Sequence, residues 1–196
     1  MIESAKSILL HEGLWGELSL RVKYSFQTAC FGSDKEKEAR RALYDKLRRI
    51  IEVSFKQTLS SVQMQFKEVY NLSYECYLSI PSEKMKPKGE GDLQGQTTIV
   101  LEENPHHKPN MKRSKYVAIY NENEDYGEVI ELDSIVVNPA TEYYALILKE
   151  AVTNSYPSAY AGIYPVVLGF VVDYAETPPL PEVGETKIVF EEQLEE

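Results

Sequence analysis

The chain is 196 residues long, 43% apolar and 27% charged, a balance that suits one globular domain and does not suit a disordered chain. Its formal net charge of −10 argues against a broad nucleic-acid-binding surface, which gains affinity by replacing counterions with Lys and Arg. No stretch approaches the ~20 apolar residues of a membrane-spanning helix, and the run Ile8–Leu10 is too short for the core of a secretory leader. The expected setting is the cytoplasm, or a virion assembled there.

In chain order, Ile2 to Glu12 reads as a short helix, with Ile2, Ala5, Ile8 and Leu9 on one stripe and Gly13 placed to end it. From Glu17 to Thr28, apolar Leu18, Leu20, Val22, Tyr24 and Phe26 alternate with polar residues, the signature of a strand with one buried face. Ser33 and Glu36 form a capping box at the head of a long helix, predicted over about 34–57. Apolar residues from Leu43 to Val69 recur at three- and four-residue steps, and Glu36–Arg40, Asp45–Arg49 and Arg48–Glu52 lie on adjacent turns of such a helix. It either continues unbroken to residue 70 or stops near Gln57 and gives way to a strand, because Val62, Met64 and Phe66 also alternate.

Further strands are predicted from Leu72 to Pro81, Thr97 to Leu101, Tyr116 to Tyr120 and Glu128 to Val137, the last bent near Asp133 and Ser134. Between them lie a Pro-, Gly- and Lys-rich loop after Pro81, the basic loop NPHHKPNMKRS and an acidic turn at Glu122–Asp125. Asn138 and Pro139 are a good helix start, so a helix is expected over about 139–155. Val166 to Tyr174 is nearly all apolar, as a doubly covered strand would be. The fold class that follows is α+β, a mostly antiparallel sheet with three helices packed mainly on one face. The expected organisation is a single domain over residues 1–176. A proline-rich connector, a short edge strand at Ile188–Phe190 and an acidic tail would follow over 177–196.

Motifs carrying chemistry fail on context. Gly89, Gly91 and Gly95 are spaced one residue too long for a dinucleotide fingerprint and open no helix. Zinc takes three or four ligands, whereas His106 and His107 are adjacent and only His11 lies elsewhere. The run Asn121, Asn123, Asp125 lacks the glycine and glutamate positions of a calcium loop. Cys30 and Cys76 have neither a C-x-x-C spacing nor a nearby His and read as buried thiols. No catalytic, cofactor or metal-ligating residue is therefore assigned.

The 14 Tyr residues, against 6 Phe and 1 Trp, suit half-buried strands and protein contacts. In an antiparallel meander, the Lys84–Lys88 loop shares an end with the acidic turn. The other basic loop then stands apart as a tip carrying Lys108, Lys112, Arg113 and Lys115. These features point to a non-enzymatic subunit of a larger assembly, such as a phage tail or neck component, acting through protein partners or self-association. Two alternatives stand beside it. One is a small-molecule-binding protein or hydrolase using His106 or His107 with Glu131 and Asp133. The other is a single-strand nucleic-acid-binding module using the Tyr-rich sheet and the Lys108–Lys115 tip.

Overall fold

A computed structural model describes residues 6–8, 18–25, 28–31, 39–42, 48–59, 64, 67–71, 75–124, 126–137, 142–176 and 183–193. Its strands, in chain order, are β1 (Lys6–Ile8), β2 (Leu18–Ser25), β3 (Thr28–Phe31), β4 (Ala39–Ala42), β5 (Arg48–Leu59) and β6 (Cys76–Ser79). They continue with β7 (Thr98–Leu101), β8 (Tyr116–Asn121), β9 (Tyr126–Val137), β10 (Tyr144–Leu148), β11 (Ala161–Glu176) and β12 (Val183–Glu192). Three short 3-10 turns, Pro81–Glu83, Pro105–His107 and Met111–Arg113, interrupt the loops. Among the described residues, helix is confined to Met64 and 67–71.

The expected α+β class is therefore corrected to a mostly antiparallel β fold. Where a long helix was predicted over 34–57, the chain forms β4 and β5; residues 34–38 and 43–47 lie outside the described residues. Arg48–Leu59 carries two overlapping patterns. Its apolar residues satisfy helical spacing, yet Arg49, Ile51 and Val53 are buried while Ile50, Glu52 and Ser54 are only half-buried, an alternation of period two. Pairing on both sides, with β2 and β12, satisfies its backbone and suits the β-branched Ile50, Ile51, Val53 and Thr58. Neighbouring strands thus decide a local tie. Arg49 consequently pairs with Glu192.

The other two helices fail likewise. Residues 144–148 of the predicted 139–155 helix are β10, and 149–155 run on without helix; residues 138–141, which include the capping pair, lie outside the described residues. Of the predicted Ile2–Glu12 helix, Lys6–Ile8 is a strand parallel to Cys76–Leu78, and the remainder is outside. At 58–70, strand extends to Leu59 and helix covers 67–71, between which only Met64 is described.

The chain gathers into two compact units, one formed by 1–15 and 75–168 and the other by 16–74 and 169–196. In the first, antiparallel pairing runs β11–β8–β9–β10–β7. The ring closes through a segment that reads as loop in the sequence. Pro87 bridges Leu101 of β7 and Met85 bridges Ile163 of β11. The result is a small barrel whose interior is filled by alternating side chains from every wall: Met85, Ile99 and Leu101, Val117 and Ile119, Ile130, Leu146 and Leu148, Ala161 and Ile163. Leu93, Met111, Val152 and Tyr156 from the loops complete the same core, as expected for a barrel too narrow to hold a cavity. The expected bend in β9 is a bulge: Ile147 pairs with Ser134 and Leu148 with Leu132, leaving Asp133 as the extra residue.

In the second unit β5 lies between β2 and β12, and β12 pairs in turn with Gly169–Glu176 of β11. The predicted edge strand at Ile188–Phe190 is thus part of a ten-residue strand paired on both sides. The proline-rich 177–182 lies outside the described residues. Ile51, Val53, Val171, Ile188 and Phe190 are buried here. Arg49, 2% exposed, is anchored in the same unit: its Nη2 donates to Glu192 Oε1 at 2.6 Å and its backbone N–H to Oε2 at 2.9 Å. β3 and β4 form a separate two-stranded sheet.

Candidate interaction surface

The predicted basic tip is built but largely neutralised. Lys108 Nζ lies 2.9 Å from Glu103. Lys115 and Lys149 share Glu131, at 3.5 and 2.8 Å. The Lys149 hydrogen bond is the main reason the Glu131 carboxyl titrates below its usual range. Arg113 is half-buried and Lys112 is exposed. The Lys84–Lys88 stretch behaves as expected at its start, where Lys84 pairs with Glu122 of the acidic turn. The two basic loops are not separate, however. The buried Glu83 carboxylate accepts from the Asn110 and Met111 backbone N–H groups and from Asn110 Nδ2. The loops meet at their bases.

The residues of the two alternative readings are not gathered in usable form. His106 rests edge-on against Tyr144, with ring centroids 5.6 Å apart, and Tyr144 pairs with Val137 at the far end of β9. Glu131 lies six residue steps back along β9 from Val137, about 20 Å at ~3.3 Å per residue. Asp133 is the exposed bulge residue and bonds to Ser134. His11 lies outside the described residues. Tyr120 and Tyr164, on the outer sheet face, are 3% and 2% exposed, and Tyr116 is packed against Tyr77 at 5.0 Å. These rings are covered and do not form a stacking platform for bases.

Gly89, Gly91 and Gly95 have φ of 107°, 123° and 77°, a left-handed region that side chains resist. Gly89 and Gly91 border an open recess of ≈ 500 Å³ lined in part by Lys86, Glu90, Asp92 and Glu102. Asp92 is already occupied there: hydrogen bonds from Ser155 and from the backbone N–H groups of Gln94 and Tyr156 hold its carboxyl below the usual range. Among the described residues, no group of three or more His, Cys, Asp or Glu is placed to hold a metal. No helix of the described residues is long and apolar enough to cross a membrane.

What the sequence reading missed is an apolar face outside the barrel. Residues 98–101, 134–137 and 143–148 contain no charged residue in a chain that is 27% charged. Register brings them side by side, with Ala145 opposite Val100 on one flank and Val136 on the other. Leu146 and the neighbouring Ile99 point inward. Residues across an antiparallel pair share a face, so Val100, Ala145 and Val136 form one outward row. On this face Val100, Val136 and Tyr143 are 36%, 41% and 42% exposed, with Ala145 buried between the two valines at 8%. Lys88 Nζ sits 3.3 Å from the Tyr143 ring centroid, a cation–π contact that holds the ring at the end of the row. The uncharged runs TIVL, SIVV and YYALIL were the available signal. Each reads as buried core until the pairing shows which alternate residues face out.

Compared with protein-family models and with curated proteins, the chain matches none.

Proposed function

We propose that the chain is a non-enzymatic interaction subunit that works by protein–protein contact through the outer face of β7, β10 and β9. The observation that carries this reading is the exposed row Val100, Val136 and Tyr143. Scattered surface apolar residues need no explanation, but a contiguous patch rimmed by polar groups marks an interaction site. A tyrosine held by a lysine adds an anchor of the type that dominates interface energetics. The barrel interior supports the same reading, since its side chains leave it filled rather than hollow.

The test is association by analytical ultracentrifugation, and affinity capture, of the wild type and of Val136→Asp. A charge at the β9 side of the row should abolish whatever self-association or capture the wild type shows, with circular dichroism and thermal midpoint unchanged. A wild type that stays monomeric at high concentration and captures nothing contradicts the proposal. So does a Val136→Asp protein that associates as well as the wild type.

A further inference from the structure

We infer that residues 80–91 are a releasable strap that closes the barrel and guards the edges of β7 and β11. The walls of the barrel are joined by continuous ladders, six residue pairs between β8 and β9 and six between β8 and β11. The seam is different. Two isolated bridges close it, and five backbone hydrogen bonds span it: Ile80 N–H to Pro165 O at 3.0 Å, Met85 N–H to Ile163 O at 2.8 Å and its return at 2.9 Å, Lys88 N–H to Val100 O at 2.8 Å, and Glu102 N–H to Lys86 O at 3.1 Å.

The strap is bounded by conformational breaks. Pro81 opens the turn at one end, and Gly89, at φ 107°, is the pivot at the other. Two polar clips then do what a long ladder does elsewhere. Glu83 binds the 110–111 backbone. Lys84 pairs with Glu122, which also accepts from Tyr164 Oη at 3.0 Å. That tyrosine folds over Gly162, where an added Cβ would come within 2.8 Å of the ring. Met85 plugs the core from the strap; an unbranched side chain leaves such a site more readily than a shaped aliphatic one.

Released, the strap would leave two unpaired strand edges, the template on which an extended segment of another chain adds. The strap also shares Glu83 with the loop holding Met111, so the two should open as one cooperative unit. This inference stands independently of the apolar face.

Hydrogen exchange of the full chain, followed by mass spectrometry, tests it. In the wild type, amides of 84–88 and 110–113 should exchange at least about tenfold faster than those of 116–121 and 126–132, as local opening requires. Glu83→Gln should accelerate both segments together by a further factor of about ten, the loss of a charge-assisted hydrogen bond, with the β8 and β9 amides unchanged. Equal rates for the strap and barrel strands in the wild type overturn the inference, as does a Glu83→Gln protein accelerated uniformly throughout. Should Glu83→Gln fail to fold, Lys84→Met weakens the other clip from its solvent side. Local acceleration of 84–88 then supports the strap, and no change or a uniform one overturns it.

Discussion

Replacing Arg49 by Met tests the energetics of the second unit most sharply. The guanidinium is 2% exposed and bonds to Glu192 at 2.6 Å, so the substitution removes the Arg49 charge from beside a carboxylate that is itself only 10% exposed. Breaking a buried pair from one side costs about 3–5 kcal/mol, because the remaining charge stays desolvated. For a chain of this size each kcal/mol moves the thermal midpoint by roughly 2–4 °C, so Arg49→Met should lower it by about 6 °C or more. The double variant Arg49→Met/Glu192→Leu removes both charges and fills similar volume. Its stability should return to within about 1–2 kcal/mol of the wild type, since apolar pairs often replace buried ion pairs without loss. Thermal and urea unfolding of the wild type, both single variants and the double variant supply the cycle. A single variant within about 1 kcal/mol of the wild type, or a double variant no better than the worse single, refutes the reasoning.

Three further outcomes follow from the packing. Gly169→Ala should destabilise by about 1–3 kcal/mol or more, because an added Cβ would lie 2.0 Å from the Glu191 carbonyl oxygen; urea unfolding measures it. Burial pushes the Cys76 thiol up to about 12, with Glu75 adding to the shift, so a Cys30→Ser protein should resist thiol reagents at pH 8 until it unfolds, and rapid labelling of the native state would contradict this. The same shift has a sign for stability. The folded thiol holds its proton more tightly than the unfolded one, so the contribution is complete below pH 9 and is lost as pH rises toward 12, which an alkaline unfolding series in the wild type and Cys76→Ala would show.

The parts of the fold legible in the sequence are those where one periodicity stands alone. Leu18–Ser25 alternates without a competing pattern and is β2. Tyr116–Asn121 and Tyr126–Val137 are strands as the alternation predicts, with the bend falling on Asp133. Lys84 pairs with Glu122 of the acidic turn, although β7 lies beside β10 and not beside β8 as a sequential meander requires. The failures occur where the deciding information is held by a distant segment. Arg48–Leu59 satisfies helical and strand spacing at once, and only β12, some 130 residues later, makes the strand the better solution. The YYALIL run has a helix-like stripe, but Leu146 and Leu148 face a core that β7 and β9 supply.

The site was hidden for related reasons. Lys and Gly composition marks 82–96 as a loop, yet Met85 and Pro87 are buried and close the barrel. Counting lysines could not show that Glu103 and Glu131 would pair with Lys108 and Lys115. The apolar face is invisible along the chain because its three runs are apart in sequence and adjacent only through register.

Sedimentation velocity of the wild type beside Val136→Asp, at the same high concentration and with folding checked by circular dichroism, bears most directly on how this chain acts. The outward valine row predicts an associating wild type, alone or with a captured partner, and a folded variant that remains a monomer. Identical sedimentation of the two proteins, whether both associate or neither does, would contradict a role for that face.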